Sequence, residues 1–219
     1  PNLFRRIAGE GAFSVSFIPL YSKTIAQEGE EEAAKFAGQI FSIMGITLSI
    51  FSVLVMIGMP WVIHVIAPGF QHGSERYDFA VTLTRLTFPY LLLMSLTALF
   101  GGMLNTHGKF APFAAAPIIF NLTLILSILV MAGFFPTAGH AMAFGVTVSG
   151  VLQLVMMIYF IRRHHILFHF QKPTFTEKSK KLFKLMGPGI LSAGVFQINL
   201  FVDMMLASLL PAEIGRAHV

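Results

Sequence analysis

Two adjacent arginines, Arg5 and Arg6, lie close to Glu10 in an otherwise apolar or small-residue stretch at the start of the chain. On an α-helix Arg6 and Glu10 are four residues apart and share one face, so they can form an ion pair. Arg5 is rotated by roughly 100° and is left without a carboxylate. A guanidinium binds phosphate through two parallel hydrogen bonds, most strongly in a low-dielectric cavity. Arg5 is therefore a candidate ligand for a pyrophosphate group.

A second interpretation of Arg5 and Arg6 fits the spacing equally well. Both arginines can lie at the level of the lipid headgroups and extend their guanidinium groups to lipid phosphates. Charged residues within membrane segments are rare and usually face a cavity, a partner or a substrate. The spacing alone leaves both interpretations open.

Another candidate site lies near the end of the chain, where Asn199 and Asp203 are four residues apart in an apolar stretch. On a helix they share a face that can line a cavity. Because this stretch contains no basic residue, the Asp203 carboxylate must be protonated, paired with another helix or bound to a cation. Oxygen ligands suit a hard cation. The alternative is an acid that serves only helix packing.

The histidines do not predict a metal site or an enzyme. His164, His165 and His169 follow an HHxxxH spacing, but no carboxylate accompanies them, so a basic loop at the membrane interface is the favoured interpretation. The chain has no P-loop, no Ser-His-Asp order and no pair of acids spaced for hydrolysis. We expect no enzymatic activity, no catalytic cofactor and no nucleic-acid partner.

Composition places these residues in a membrane protein. The chain is 55% hydrophobic and 11% charged, with a mean hydropathy of +0.75, which is more apolar surface than a soluble domain of this size can bury. A membrane-spanning helix needs about 20 apolar residues. This rule predicts an all-α transmembrane bundle of about six spans, at residues 1–22, 37–66, 81–105, 111–135, 140–162 and 183–210. Gly45, Gly58 and Pro60 predict a bend in the second span.

The basic residues predict the orientation of the bundle. One set of connections carries ten of them, whereas the opposite set carries only Arg76 and Arg85. The positive-inside rule places the first set in the cytoplasm. Its members are Lys23, Lys35, Lys109, Arg162, Arg163, Lys172, Lys178, Lys180, Lys181 and Lys184. Residues 27–35 are acidic, and a solvated helix start is favoured over a cation site or a partner contact.

Several motifs together resemble the MurJ (MviN) family of lipid II flippases, in the multidrug/oligosaccharidyl-lipid/polysaccharide exporter superfamily. Three motifs resemble the second transmembrane helix of that family, namely residues 1–6 (PNLFRR), 9–14 (GEGAFS) and 17–19 (FIP). The third helix of that family is similar to residues 61–63 and 67–70, and the fourth is similar to residues 87–92 and 101–106. The fifth is similar to residues 110–117 with Asn121. The likeness is collinear to about residue 211.

The resemblance implies a two-lobe transporter of about fourteen helices that works by alternating access in the bacterial cytoplasmic (inner) membrane. Residues 1–162 correspond to family helices two to six, residues 163–182 to a cytoplasmic amphipathic linker, and residues 183–211 to the first helix of the C-terminal lobe. Residues 212–219 are expected to be a non-native tail, and the chain a fragment of a longer protein. The linker is expected to be a lipid anchor or a hinge.

The resemblance also implies an activity and roles for the candidate residues. The activity is flipping lipid II, the undecaprenyl-pyrophosphate-linked peptidoglycan precursor, from the cytoplasmic to the periplasmic leaflet. Arg5 and Arg6 are then expected to bind the pyrophosphate, Glu10 to exchange ion-pair partners, and Asp203 with Asn199 to hold sodium or another coupling ion. The alternatives are an exporter of another lipid-linked oligosaccharide or a drug, and a non-transporting scaffold that binds anionic lipid through residues 162–184.

Overall fold

The computed structural model describes residues 12–70 and 73–209, and every regular element within these ranges is helical. The prediction of an all-α transmembrane bundle is confirmed. The helices run up and down through the bundle, joined by short connections. In chain order they are α1 Ala12–Glu28, α2 Glu30–Ile57, α3 Met59–Ile66, α4 Glu75–Thr87, α5 Tyr90–Thr106, α6 Ala111–Met131 with a 3-10 turn Ala132–Phe134, α7 Ala138–Arg163 and α8 Glu177–Leu209.

Helix ends follow local sequence signals. Gly29 takes a positive φ of 92°, which allows α2 to start directly after α1 ends. Ser74 and Thr137 cap α4 and α7, because each side-chain oxygen accepts a hydrogen bond from the backbone N–H three residues later. At the other end of α7, His165 adopts φ 54°, and the Ile166 N–H donates to the Ile161 carbonyl at 3.1 Å. This left-handed cap turns the chain sharply away from the helix axis.

Two of the predicted spans are interrupted. The second breaks at Gly58, where α2 ends and α3 begins with Pro60 in its first turn, whereas the helix continues through Gly45. The bend was predicted, and Gly58 is where it occurs. The third span divides between α4 and α5 at Phe88 and Pro89, since a proline inside a helix removes a backbone hydrogen bond.

The core lies where α1, α2 and α5 meet, and α7 and α8 pack around it. Helix α5 is the central element, and almost all of its side chains are buried. Close helix approach depends on glycine here: Gly102 lies against the Phe17 ring, and the Phe113 ring occupies the space that a Cβ at Gly101 would need. Small residues allow membrane helices to approach each other closely in this way. A smaller cluster surrounds Tyr77, whose hydroxyl donates to the Pro60 carbonyl at 2.8 Å.

Four segments of the described chain are long and apolar enough to cross a bilayer, so the chain is a multi-pass membrane protein. Burial distinguishes a central span from a peripheral one. In Glu75–Thr106, 67% of an apolar 18-residue stretch is buried, whereas in Ala111–Phe134 only 17% of such a stretch is buried. Large apolar side chains cover the outer surfaces of α2, α6 and α7, as expected for contact with lipid. The four segments are Glu30–Ile57, Glu75–Thr106, Ala111–Phe134 and Ala138–Arg163.

Candidate functional site

The predicted pyrophosphate ligands Arg5 and Arg6 and the predicted gating residue Glu10 lie outside the described residues, which begin at Ala12. Their roles therefore stay predictions. The structure does describe the residues that follow them, as α1. The packing of α1 is the first part of the candidate site.

Helix α1 is held by an aromatic stack along one face. Phe13, Phe17 and Tyr21 are four residues apart, and adjacent ring centroids lie 5.2 and 5.3 Å from each other. All three side chains are buried. Phe36 of α2 stacks on Phe17 at 5.9 Å. Because these rings pack between α2 and α5, the rotation of α1 about its own axis is fixed by the core.

The second predicted site lies on α8. Asp203 is exposed, and the backbone of Asn199 lies one helical turn before it. Helix α8 packs against α1, which begins at Ala12. Lys178, near the start of α8, lies beside Glu28 at the end of α1, and the helices therefore run in opposite directions. The coordination of a cation by Asp203 and Asn199 stays a prediction.

Residues 164–176, here called the strap, join α7 to α8 without regular secondary structure. The strap crosses α2 at Gly38, where a Cβ would overlap the backbone carbonyl of His169. Next to this crossing, the Ser42 hydroxyl donates to the Gln171 carbonyl at 2.6 Å. Phe168 fills the space between Phe41 and α5, with its ring centroid 5.5 Å from that of Phe41. The strap is thus packed on protein by backbone and aromatic contacts.

Ion pairs tie the strap and the start of α8 to the α1–α2 turn, and a side-chain hydrogen bond ties the strap to α2. Lys178 Nζ lies 2.6 Å from a Glu28 carboxylate oxygen, and His169 Nε2 lies 3.2 Å from one of Glu31. Thr176 donates to the Gln39 amide oxygen at 3.2 Å. The acidic segment is exposed, as a solvated helix start requires, but two of its carboxylates also bind the far end of the chain.

The helix begins earlier than the sequence indicated, since α8 starts at Glu177 rather than at residue 183. Residues 177–182 of the predicted linker are therefore helical. Whether the linker acts as an anchor or as a hinge stays a prediction. Its contacts with α2 could have been suspected from charge alone, because an acidic turn and a basic linker were predicted on the same side of the membrane. The neutral contacts at Gly38 and Ser42 had no such signal.

The histidines of the strap point to different surroundings. His164 stacks on Phe160 with centroids 6.1 Å apart, whereas His169 pairs with Glu31. Desolvation lowers the pKa of the His164 imidazole below its ordinary value, and the nearby charges of Lys109, Arg163 and His165 lower it further. Among the described residues, no three His, Asp or Glu side chains lie close enough together to hold a metal ion.

Comparison with known proteins supports the resemblance seen in the motifs. The family model described as lipid II flippase MurJ matches residues 1–215. A probable lipid II flippase MurJ of Rickettsia prowazekii (strain Madrid E) is 38% identical over 219 residues, which cover 98% of this chain and 42% of that protein. A probable lipid II flippase MurJ of Rhizobium tropici is also 38% identical, over 95% of this chain and 40% of that protein.

The fold agrees with a solved structure titled lipid II flippase MurJ, inward closed conformation. The TM-score is 0.76 at 28% sequence identity, with 96% of this chain and 42% of that chain covered. The chain therefore spans about two fifths of the length of the proteins that it matches. Sequence motifs, the family model and the helical architecture agree along almost the whole chain, and we conclude that it belongs to the lipid II flippase MurJ family.

Proposed function

We propose that the protein containing this chain flips lipid II from the cytoplasmic to the periplasmic leaflet of the bacterial inner membrane. The observation that carries the proposal is the family match over residues 1–215 together with the same helical fold. Lipid II and the surrounding membrane lipids are the proposed binding partners. The proposed activity is transport without covalent chemistry, and it belongs to the whole protein, because this chain covers 42% of the length of a matched relative.

The proposed mechanism assigns the charged residues at the start of the chain to the headgroup. Arg5, with Arg6, binds the pyrophosphate in a cavity between two lobes, and Glu10 takes over an arginine when the phosphate leaves. Such an exchange is required in alternating access, since a ligand held equally in both states shifts no equilibrium. Support comes from α1, whose buried aromatic face holds the helix in one rotation. A fixed helix presents a binding group in a reproducible direction.

We further propose that Asp203 and Asn199 contribute to a site for sodium or another coupling cation. The carboxylate of Asp203 is exposed on α8, the helix that packs against α1. A cation bound at α8 would therefore lie on a helix that packs against α1, the helix that follows the proposed pyrophosphate ligands in the sequence. The remaining ligands would come from elsewhere in the whole protein.

Complementation tests the headgroup site. In cells depleted of their own flippase, the full-length protein should support growth, Arg5→Ala should not, and Arg5→Lys should do so weakly, because lysine keeps the charge but not the two-pronged geometry. Arg76→Ala is the matched control, since Arg76 is an exposed arginine of α4. Growth of the Arg5→Ala cells at the parental rate, with equal protein levels, would refute the pyrophosphate role.

A transport assay tests the proposed lipid II flipping independently of the proposed pyrophosphate site. Proteoliposomes that contain the full-length protein should expose a fluorescent lipid II analogue to a membrane-impermeant quencher faster than protein-free liposomes do. If the parent protein shows no such transport of lipid II but does transport another lipid-linked oligosaccharide, the related-exporter alternative is correct. The drug-exporter alternative is less favoured, because a cationic site repels drug cations.

The scaffold alternative assigns function to the basic residues of 162–184. It predicts that neutralising Lys178, Lys180 and Lys181 impairs growth more than Arg5→Ala does. The structure weakens this alternative, because Lys178 and Lys180 are already paired with Glu28 and Glu177 at 2.6 and 2.8 Å. Paired lysines attract lipid phosphate less strongly than free ones do.

A further inference from the structure

Basic side chains from two connections lie close together at one end of the bundle. Helices α6 and α7 pack along each other and are joined by a short connection, so the turn before α6 lies at the same end as the last turn of α7. Desolvation lowers the pKa of the His164 imidazole, and the charges of Lys109 and Arg163 lower it further, as does His165. Arg162 precedes them in the last turn of α7. These five residues are here called the α7 basic cluster.

The α7 basic cluster has no acidic partner within residues 12–70 and 73–209. In that part of the chain, every carboxylate that forms an ion pair belongs to the α1–α2 turn or to the first turn of α8. Lys109, Arg162 and Arg163 are all exposed. The dipole of α7 favours cations at its C-terminal end, which accounts for the two arginines but not for Lys109 in the neighbouring turn. Like charges repel one another, so the cluster favours an anion from outside the chain.

Arg163 is already held in one position. Its guanidinium donates to the Tyr159 hydroxyl at 2.8 Å, and the central carbon of the guanidinium lies 6.0 Å from the centre of the Tyr159 ring. A guanidinium has five N–H donors, so this hydrogen bond leaves others for an acceptor such as phosphate. Because the side chain is ordered beforehand, it loses less conformational entropy when it binds.

The exposed face of α7 next to the cluster changes in character along the helix. Val151, Val155 and Tyr159 are four residues apart and exposed, and Arg162 and Arg163 follow within one turn. The face therefore passes from aliphatic through aromatic to cationic side chains. This order is typical of a helix that runs from the acyl chains through the membrane interface to the lipid headgroups.

We propose that Lys109, Arg162 and Arg163 bind the phosphate of an anionic phospholipid in the cytoplasmic leaflet, with its acyl chains along Val151 and Val155 of α7. Anionic lipid attracts basic segments that adjoin a membrane helix, and the exposed face supplies the apolar contact. The inference goes beyond the proposed transport function and does not depend on it. It also differs from the scaffold alternative, because the paired lysines at the start of α8 are not part of this site.

Photocrosslinking of the full-length protein in lipid nanodiscs tests the proposal. The probes are phosphatidylglycerol and phosphatidylcholine that carry a diazirine at the same acyl carbon near the glycerol, and mass spectrometry identifies the labelled peptides. We expect phosphatidylglycerol to label residues 151–165 several-fold more than phosphatidylcholine does. Both lipids should label Leu129 equally, since it is exposed at the other end of α6. Equal labelling of residues 151–165 by the two lipids would overturn the proposal without any variant being needed.

Two variants each remove three positive charges from the side of the membrane predicted to be cytoplasmic. The site variant combines Lys109→Gln, Arg162→Gln and Arg163→Gln, and the control variant combines Lys180→Gln, Lys181→Gln and Lys184→Gln at exposed positions of α8. The site variant should reduce phosphatidylglycerol labelling of residues 151–165 to the phosphatidylcholine level, and the control variant should leave it unchanged. An equal decrease in both variants would show that only the net charge of this surface matters, and would contradict a site at the end of α7.

Lipid II also carries phosphate, so competition distinguishes the two sources of the headgroup. An excess of unlabelled phosphatidylglycerol should displace the probe from residues 151–165, whereas the same amount of lipid II should not. Displacement by lipid II at a lower concentration than phosphatidylglycerol requires would assign the α7 basic cluster to the transported substrate and would overturn the proposal.

Discussion

The ammonium of Lys178, near the start of α8, lies 2.6 Å from the carboxylate of Glu28 at the end of α1, although 150 residues separate them in the sequence. Beside them, the strap lies against α2 at Gly38. One end of the bundle is thus closed by the segment that leads into α8. If α8 begins a second lobe, as the family resemblance implies, these contacts set where that lobe starts relative to the first.

Exchanging the charges of Glu28 and Lys178 should distinguish the interaction within this pair from the effect of the surrounding charges. Lys178→Glu places two carboxylates together and should lower the unfolding midpoint, and the double variant Glu28→Lys with Lys178→Glu should recover most of the loss. Because both side chains are partly exposed, the coupling energy should be about 0.2–1 kcal/mol and should decrease with salt. The measurement is a double-mutant cycle on thermal unfolding.

The control for that cycle is Lys180, which pairs with Glu177 in the same turn of α8 at 2.8 Å. Lys180→Glu should show no coupling to Glu28→Lys, since its partner is local. Coupling of equal size in both cycles would mean that the general charge of this surface, rather than the pair, is being measured.

Gly38→Ala should dislodge the strap. A methyl group at this position overlaps the His169 carbonyl, and a backbone atom cannot move aside as a flexible side chain does. We expect a loss of about 1–3 kcal/mol in the free energy of unfolding and faster cleavage within the strap by proteinase K. Gly45→Ala, in the same helix but with no atom near its Cβ position, should be neutral or stabilising because alanine favours helix. Equal cleavage rates in the parent and Gly38→Ala would contradict this account of the strap.

Arg85→Met should destabilise the protein at the break between α2 and α3. The Arg85 guanidinium donates to the carbonyls of Met56 and Ile57 at 2.8 and 3.5 Å, and so satisfies acceptors at the end of α2. Losing these charge-assisted bonds should cost about 1–3 kcal/mol, measured as a lower unfolding midpoint. Arg76→Met, at an exposed position of α4, should change stability by less than about 0.5 kcal/mol. A similar loss in both variants would argue against the capping role.

His165→Gly should stabilise the protein. His165 caps α7 with φ 54°, a conformation that costs a residue with a Cβ roughly 1 kcal/mol relative to glycine. The unfolding midpoint should therefore rise by an amount that corresponds to a gain of about 0.5–1 kcal/mol. His164→Gly tests the neighbouring position, where φ is −94°, and should give no gain. A drop in stability for His165→Gly would show that its imidazole makes a contact worth more than the backbone strain.

The features that were predicted correctly depend on short-range patterns. Apolar run length predicts the spans, and glycine and proline predict the bend at Gly58. The close approach at Gly101 and Gly102 also follows from residue size, because a helix surface without side chains admits a neighbouring ring. Each of these properties is set by residues within one or two helical turns.

The strap could not be predicted in the same way. Its hydrogen bonds to α2 join residues 129 to 138 positions apart, such as Ser42 with Gln171, and several of its contacts are made by backbone atoms that carry no sequence signal. The spacing also could not decide whether Arg5 meets a headgroup in a cavity or at the membrane surface. That choice depends on which surfaces of the whole protein enclose the arginine, and these are set by tertiary packing rather than by periodicity.

The exposed surface of α6 has a consequence for biosynthesis. Only 17% of an apolar 18-residue stretch in Ala111–Phe134 is buried, and the mean hydropathy of this stretch is 2.3. The segment can therefore enter the bilayer from the translocon before its neighbouring helices do. Helix α7 carries the buried amide of Gln153, whose donor is satisfied by the Ala116 carbonyl of α6. Helix α7 is therefore more stable in the bilayer when α6 is already inserted, and we expect the two helices to insert in order as a hairpin.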